Sequence, residues 1–199
     1  MIILKREGII IEPTNLPFEN DGVMNPAVIA EGNEVHLFYR AVRKGNHSTI
    51  GYCRMEGPLN VVYRSESPVL SPELDSESQG MEDPRIVKID GIYYMAYTAY
   101  DGDNAVGALA TSTDLKHFER KGVITSQLTY QEFVELLKED HYPHTEKYFR
   151  TYNNRALAMP EGKPLYLTDK DIVFFPRKID GKFFFMHRIK PDIQWVAVD

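Results

Sequence analysis

The sequence Gly80-Met-Glu-Asp83-Pro84-Arg85-Ile-Val87 has a close copy 58 residues earlier, Gly22-Val-Met-Asn25-Pro26-Ala-Val-Ile29. The match continues without a gap into two aromatic segments, Val35–Ala41 and Tyr93–Ala99. Self-similarity at a fixed period is typical of architectures built from one repeated supersecondary unit. We therefore interpret the chain as a series of similar units rather than one irregular domain.

A third copy is Phe175-Pro176-Arg177-Lys-Ile-Asp180-Gly181, which is two residues shorter between its proline and its Asp-Gly turn. Each copy has an X-Pro pair, a short apolar strand, a turn and an aromatic strand, and Asp-Gly between such strands predicts a hairpin. Another strand candidate follows each hairpin. Repeated four-stranded units of this length indicate β-propeller blades, so the fold class is all-β. The three additional strand candidates are residues 48–53, 106–111 and 193–198.

An interruption separates the second and third copies. Thr129-Tyr-Gln-Glu132 is a capping-box pattern, and apolar residues follow at helical spacing, which predicts a surface helix over residues 129–139. The next residues are expected to form a loop that contains His141 and His144. Two histidines without a further partner at zinc-site spacing are interpreted as solvated, so no metal site is predicted.

The bulk composition indicates an ordinary globular protein. The 199 residues include 43% hydrophobic and 26% charged residues, and the net charge is −6, which argues against nucleic-acid binding. A single cysteine, Cys53, excludes an internal disulfide and is expected to be a half-buried strand residue. Charged residues follow closely after Met1, and no apolar run reaches transmembrane length. We expect no membrane partner and a cytoplasmic location.

Chemistry is expected at the first strand of each blade, because in a propeller these strands line the central axis. The equivalent positions are Asn25, Asp83 and Phe175–Arg177. X-Pro pairs are explained as strand starts, but that does not explain the acids and arginine of the second copy. Asp83 is the candidate catalytic acid. A neighbouring Glu82 raises its pKa by repulsion, Arg85 lowers it, and the sequence leaves open which effect prevails.

Four segments, in order, resemble glycoside hydrolase family 130, which comprises β-mannoside phosphorylases with a minority of mannosidases. The resemblance runs from about Val23 to the C-terminus, and its specificity comes from the combination of the four segments. It implies a five-bladed β-propeller, of which residues 1–199 are expected to form a single, incomplete arc of about three blades with one inserted surface helix. The segments are Gly80–Arg85, Tyr97–Gly102, Ala108–Leu115 and Lys170–Lys182, the last followed by His187-Arg188.

The resemblance also implies an inverting reaction in which Asp83 is the general acid. In related five-bladed enzymes that hydrolyse furanosides, the first blade supplies a second carboxylate, where this chain has Asn25, which cannot ionise. An inverting hydrolase needs a second carboxylate to activate water. Phosphate is already an anionic nucleophile, so phosphorolysis does not need one. The residues expected to bind substrate are Asn25, Glu82, Arg85 and Asp101, although Asp101 before Gly102 also fits a turn-forming aspartate.

An anionic nucleophile needs cations around it. The candidates for phosphate binding are Arg40, Lys170, His187 and Arg188. Many phosphorylases of the family carry a basic residue shortly before the Ala-Leu-Ala-Thr-Ser segment, whereas this chain has Asp103–Gly107 there, with no cation. That departure favours hydrolysis. The expected partners are an oligosaccharide and inorganic phosphate as co-substrate, with no cofactor.

Three functions therefore remain open. The first is phosphorolysis of β-mannosides to mannose 1-phosphate, and the second is hydrolysis of β-mannosides on the same scaffold. The third is carbohydrate binding by a propeller fragment without catalysis, which Asp83 argues against.

Completeness is a further expectation. A five-bladed relative needs on the order of 300 residues at ~40–50 per blade with insertions. We therefore expect an unclosed arc with an exposed apolar sheet face near Phe185 and Trp195. Such a surface promotes association, including homo-oligomers. We expect the isolated chain to lack phosphorylase activity, because part of the funnel wall is missing.

Overall fold

The computed structural model describes residues 4–139, 152, 154–190 and 192–199. Within them, eleven strands form one sheet, in which nine strands follow a path that does not close on itself and two strands branch off it. Residues 154–158 are also helical. The strands and the long helix are β1 (Gly22–Glu31), β2 (Glu34–Arg43), β3 (His47–Glu56), β4 (Asn60–Arg64), β5 (Gly80–Ile89), β6 (Ile92–Tyr100), β7 (Ala105–Ser112), β8 (Glu119–Val123), α1 (Tyr130–Glu139), β9 (Asp169–Phe174), β10 (Phe183–Ile189) and β11 (Gln194–Val198).

The strands group into three blades, β1–β4, β5–β8 and β9–β11. Neighbouring strands within a blade are antiparallel. Consecutive blades meet through single parallel pairings, Ser48 with Gly80 and Val106 with Asp169. The prediction of an all-β, incomplete propeller arc is confirmed, and a second helical segment, residues 154–158, accompanies the predicted surface helix.

The blades pack face to face over a buried apolar core. Side chains of the first two blades meet in one cluster around Phe38, Ile50 and Met95, each of which is fully buried. The second and third blades meet at Gly107, where an added Cβ would stand 2.0 Å from Cδ1 of Ile172. Any larger residue at that position would force the Ile172 and Thr125 side chains to move.

A buried carboxylate links two strands in each of the first two blades through hydrogen bonds and ion pairs. Tyr39 donates a hydrogen bond from its hydroxyl to Glu19 over 2.8 Å, and Tyr97 donates to Glu77 over 2.6 Å. Both glutamates are fully buried. The repeat therefore extends to polar groups, and the outer strand of each blade adds an arginine beside the same carboxylate, Arg64 and Arg120 respectively.

The first strand of each blade has a β-bulge at one residue with left-handed backbone. These residues are Asn25 (φ 48°), Asp83 (φ 51°) and Asp171 (φ 61°), and the strand register shifts at each of them. Asparagine and aspartate tolerate this conformation better than most other residues. The three positions are structurally equivalent.

The alignment of the third copy on Phe175–Arg177 is therefore wrong. Those residues follow β9, and the equivalent of Asp83 is Asp171. An isoleucine follows Asp171 in place of proline, and the hairpin after it is two residues longer than in the second blade. The sequence comparison matched the X-Pro pair and thereby missed the bulge.

The helix prediction for residues 129–139 is confirmed by α1. The side chain of Glu132 accepts a hydrogen bond from the backbone N–H of Thr129 over 2.8 Å, and the N–H of Glu132 donates to Oγ1 of Thr129. This is the reciprocal capping box. His141 and His144 lie outside the described residues. None of the helices in the described part of the chain is long and apolar enough to cross a membrane.

Two expectations about burial need correction. Cys53 is fully buried among Leu37 and Met55, not half-buried, and burial raises the pKa of its thiol to about 11. Phe185 is also buried, because it points into the core between the second and third blades. Trp195 is 67% exposed and stacks on Phe184, so the apolar surface expected there is present around Trp195.

Candidate active site

The bulges bring Asn25 and Asp83 into direct contact. Nδ2 of Asn25 donates a hydrogen bond to Oδ1 of Asp83 over 2.7 Å. Each residue stands on the first strand of its own blade, so the contact joins the first two blades. Asn25 is exposed, whereas the side chain of Asp83 retains 12% of its accessible surface. The predicted convergence of these two positions is observed.

Arg40 is the cation at this carboxylate. Its Nη1 lies 3.6 Å from Oδ1 of Asp83, and its Nη2 lies 2.7 Å from Oε1 of Glu82. Nε donates to Oγ of the buried Ser48 over 2.8 Å, which fixes the guanidinium. Arg40 pairs across the sheet with Met24, next to the bulge of β1. The structure thus places Arg40 between two acids of the next blade.

Glu82 is a buried acid with opposing influences. Burial raises the pKa of its carboxyl, while the charges of Arg40 and Lys170 lower it and the charge of Asp83 raises it, with a net shift upward. Only 9% of the residue is exposed. The Glu82 carboxylate therefore interacts mainly with Arg40 and has little contact with solvent.

Arg85 does not form the predicted contact with Asp83. Its Nη1 donates to the carbonyl oxygen of Pro84 over 2.8 Å. Its side chain lines a groove of about 250 Å³ between the first strands of the three blades, together with Pro26 and Val173. The strand register contains a signal that Arg40, rather than Arg85, is the arginine at Asp83. Arg40 stands opposite Met24, next to the bulge of β1, whereas Arg85 follows the bulge of β5.

Two cations of the third blade face the same end of the arc. Lys170 occupies the position equivalent to Glu82, directly before the bulge, and its charge acts on the Glu82 carboxylate. Arg188 pairs across the sheet with Lys170 and forms a 2.5 Å ion pair from Nη2 to Asp171. Its buried Nε has no hydrogen-bond partner among the described residues. The positive charge of the guanidinium lies beside Asp171 and Lys170 at this end of the third blade.

His187 is oriented by a carboxylate. Its Nδ1 lies 2.6 Å from Oδ1 of Asp169, which is fully buried. The ring itself is buried. Of its two ring nitrogens, Nδ1 is engaged with Asp169, which leaves Nε2 as the atom that could meet a ligand.

Asp101 holds a turn. Its Oδ1 accepts hydrogen bonds from the backbone N–H groups of Asp103 and Asn104, and its Oδ2 accepts one from Nδ2 of Asn104. Burial raises the pKa of this carboxyl, but these hydrogen bonds together lower it by more, so the net shift of the pKa is downward. Both oxygens are therefore occupied by the turn.

Cations reach the Asp103–Gly107 segment from elsewhere in the chain. Nζ of Lys163 lies 2.5 Å from Oδ2 of Asp103, and Nη2 of Arg155 donates to the Asp103 carbonyl oxygen over 3.0 Å. Hydrogen bonding to Asp103 raises the pKa of Lys163. The sequence showed no cation here, because both residues lie more than 50 positions further along the chain.

The geometry suits acid catalysis next to an anion. Asp83 is held by one neutral donor and one guanidinium, and Lys170 and Arg188 add positive charge from the next blade. Within the described residues, no cluster of three or more histidine, cysteine or acidic side chains could hold a metal ion.

Comparison with known proteins identifies the family. The family model for glycoside hydrolase family 130, described as β-1,4-mannooligosaccharide phosphorylase, matches residues 4–198. The chain belongs to glycoside hydrolase family 130. The family resemblance carried by the four sequence segments is thereby confirmed.

Two curated relatives are similar over most of this chain. A 1,2-β-oligomannan phosphorylase from Thermoanaerobacter sp. (strain X514) is 33% identical over 99% of this chain and 57% of its own length. A β-1,2-mannobiose phosphorylase from the same organism is 31% identical over 90% of this chain and 51% of its own length. The chain spans about half the length of these curated relatives.

A solved glycosyl hydrolase from Bacteroides ovatus has the same fold. The structures match with a TM-score of 0.70 at 21% sequence identity, over 96% of this chain and 53% of that chain. At this identity, the likeness concerns the fold alone.

Proposed function

We propose that the protein cleaves β-mannosides by inverting phosphorolysis, with inorganic phosphate as co-substrate and mannose 1-phosphate as product. Asp83 is the general acid of this reaction. The family match and the two related phosphorylases support the proposal, and the contact between Asn25 and Asp83 is the structural observation on which it rests.

The contact matters because Asn25 stands where a second carboxylate would serve a hydrolase. An inverting hydrolase activates water with a carboxylate about 6.5–9.5 Å from the acid. Asn25 cannot take up a proton from water. Glu82, the acid next to Asp83 in the chain, is buried and ion-paired with Arg40. The arrangement favours a nucleophile that needs no general base.

The proposed step is a single displacement. The carboxyl group of Asp83 gives its proton to the glycosidic oxygen while the bond from that oxygen to C1 of the mannosyl unit breaks. A phosphate oxygen forms the new bond to C1 from the opposite face, so the β-mannoside becomes α-mannose 1-phosphate. The shortened saccharide leaves with the proton, and the Asp83 carboxylate takes up a new proton from solvent before the next turnover.

Phosphate binding is assigned to the third blade. Lys170 and the partly exposed guanidinium of Arg188 supply the positive charge, and His187, oriented by Asp169, presents Nε2. Arg40 holds Glu82 and Asp83, so its proposed role shifts from phosphate binding to orienting the acid. Asn25 is the proposed contact to the sugar, whereas Glu82, Arg85 and Asp101 are engaged with protein groups.

Hydrolysis remains the second candidate, because the Asp103–Gly107 segment carries no cation of its own. Lys163 and Arg155 reach this segment, but both contact Asp103. The two functions differ in one requirement, which is phosphate.

Incubation of this chain, joined to the remaining length of the Thermoanaerobacter 1,2-β-oligomannan phosphorylase, with β-1,2- and β-1,4-mannooligosaccharides, with and without phosphate, tests the proposal. Sugar 1-phosphate is followed by phosphorus NMR and free mannose by chromatography. Phosphorolysis predicts sugar 1-phosphate that forms only with phosphate and saturates with its concentration. Mannose release at an equal rate without phosphate would establish the hydrolase instead.

A further inference from the structure

A second groove lies at the opposite end of the first blade from Asn25. It has a volume of about 780 Å³, which is within the range of ligand sites in proteins. Glu34 and His36, which line it, begin β2 directly after the hairpin turn, whereas Asn25 precedes that turn by most of β1. At ~3.3 Å per residue, the two sites are about 20 Å apart along the blade.

Three aromatic rings form a row at the wall of this groove, in which His36 and Tyr52 are buried and support the exposed Tyr63. The rings of His36 and Tyr52 are stacked with centroids 6.0 Å apart, and Nδ1 of His36 lies 2.8 Å from the Tyr52 hydroxyl. Tyr63 continues the row at 6.1 Å from Tyr52 and is 48% exposed. An exposed tyrosine offers both an apolar face and a hydroxyl, which matches the apolar face and the hydroxyl rim of a sugar ring.

The charged groups beside the rings are Glu34, Arg54 and Lys116. Arg54 and Glu34 form an ion pair at the groove wall, and both side chains remain partly exposed. Burial lowers the pKa of His36, so its ring is uncharged at neutral pH. The groove therefore offers hydrogen-bond donors and acceptors, and the Glu34 carboxylate in its wall disfavours an anion relative to a neutral polyol.

The second blade provides an internal comparison. It has a groove of about 750 Å³ at the same place. The positions of Glu34, His36, Tyr52, Arg54 and Tyr63 are occupied in the second blade by Ile92, Tyr94, Leu109, Thr111 and Glu119. Because the two blades fold alike with different residues at these positions, the fold does not require the lining of the first groove.

We propose that the groove of the first blade binds a neutral oligosaccharide chain, as a saccharide site separate from the candidate active site. Tyr63 is the stacking platform, and the pair of Glu34 and Arg54 hydrogen-bonds the hydroxyl groups. The choice of a β-mannoside as the chain rests on the proposed function, whereas the groove and its chemistry do not.

The test is binding of β-1,2- and β-1,4-linked mannotetraose to the unmodified chain, measured by ligand-observed NMR titration. Tyr63→Ala removes the platform at an exposed position, and Glu34→Gln removes a charged acceptor without changing size. Glu119→Ala, at the equivalent position of the second blade, is the matched control. Thermal melting of each variant verifies that it is folded.

We expect Tyr63→Ala to weaken binding about tenfold, Glu34→Gln to weaken it, and Glu119→Ala to bind like the wild type. Excess inorganic phosphate should not displace the saccharide from Glu119→Ala. Wild-type binding by folded Tyr63→Ala, an equal loss in Glu119→Ala, or complete displacement by phosphate would overturn the proposal. Binding that persists in Asp83→Asn, or in a chain without phosphorolytic activity, would uphold this site independently of the proposed function.

Discussion

Asn25 and Asp83 share a hydrogen bond of 2.7 Å although 58 residues separate them in the sequence. They occupy the same bulge in consecutive blades, and both have left-handed backbone. One repeated structural feature thus supplies a neutral amide in the first blade and an acid in the second. In the proposed reaction, this pairing lets the acid act beside an anionic nucleophile without a second carboxylate that would repel it.

Replacement of the acid is the first prediction. Asp83→Asn should lower turnover by roughly two to four orders of magnitude, the usual contribution of a general acid, with little change in substrate binding. Asp90→Asn makes the same change at another residue with left-handed backbone, in an exposed hairpin turn, and should leave turnover unchanged. Steady-state kinetics measures both. Near-normal turnover in Asp83→Asn would mean that another group protonates the leaving oxygen.

Replacing Asn25 by a carboxylate tests whether the reaction depends on a neutral side chain next to Asp83. Asn25→Asp places a like charge against Asp83, which raises the pKa of the pair. The alkaline limb of the pH profile of kcat/KM should move to higher pH, because the acid keeps its proton longer. The KM for phosphate should rise through repulsion. An unchanged alkaline limb together with an unchanged phosphate KM would contradict the account.

Removal of Arg40 should change how stability depends on pH. Burial already raises the pKa of Glu82 above its ordinary value of 4.5, and Arg40 opposes that rise. Arg40→Met raises this pKa further, so the folded state holds a proton that the unfolded state releases above about pH 4.5, and stability is lost as pH increases. The deficit relative to the wild type should be largest at neutral pH and shrink toward pH 4.5.

Thermal melting from pH 4 to pH 8 measures that deficit. Arg43→Met, an exposed arginine on the same strand, is the control and should show a small effect at every pH. A deficit of Arg40→Met that stays constant across the range would separate Arg40 from the ionisation of Glu82.

Removing the tyrosine hydroxyl that donates to a buried glutamate should lower the stability of the fold. Tyr97→Phe leaves the fully buried Glu77 without the 2.6 Å hydrogen bond from the tyrosine hydroxyl. We expect the free energy of unfolding to fall by about 1–3 kcal/mol, the usual penalty for a buried group that loses its partner. Tyr63→Phe, at an exposed hydroxyl, should cost much less in the same urea titration. Equal effects would show that the buried bond contributes nothing specific.

The cations of the third blade should act on phosphate alone. Lys170→Met should raise the KM for phosphate about tenfold or more, the magnitude of one hydrogen bond to a charged group, while the KM for the oligosaccharide stays near its wild-type value. Lys182→Met, an exposed lysine of the same blade, is the matched control. A parallel rise of both KM values would place Lys170 at the sugar rather than at phosphate.

Much of this architecture could be predicted from the sequence because the repeat has a clear chemical pattern. Asp-Gly turns and alternating aromatic strands identify the hairpins, and the gap-free match of the first two copies aligns Asn25 with Asp83. The capping box at Thr129 placed α1 correctly. These signals are local, so they survive without knowledge of the tertiary structure.

The contacts across blades could not be predicted in this way. The bulge at Asp171 has no proline after it, and the alignment moved to Phe175–Arg177 instead. Arg40 reaches Asp83 because Ser48 holds it at the junction of two blades, which depends on the register of three strands. Lys163 approaches Asp103 from 60 residues away. The association and the inactivity expected of the isolated chain stay predictions.

The most direct test of the central claim is the phosphate requirement of the reaction and its dependence on Asp83. The assay follows mannose 1-phosphate by phosphorus NMR, using the 199-residue chain alone and joined to the remaining length of the Thermoanaerobacter 1,2-β-oligomannan phosphorylase. The account predicts that the joined polypeptide forms product only with phosphate, and that this product falls by at least about a hundredfold in Asp83→Asn. Cleavage at an undiminished rate without phosphate, or no cleavage by either polypeptide, would contradict it.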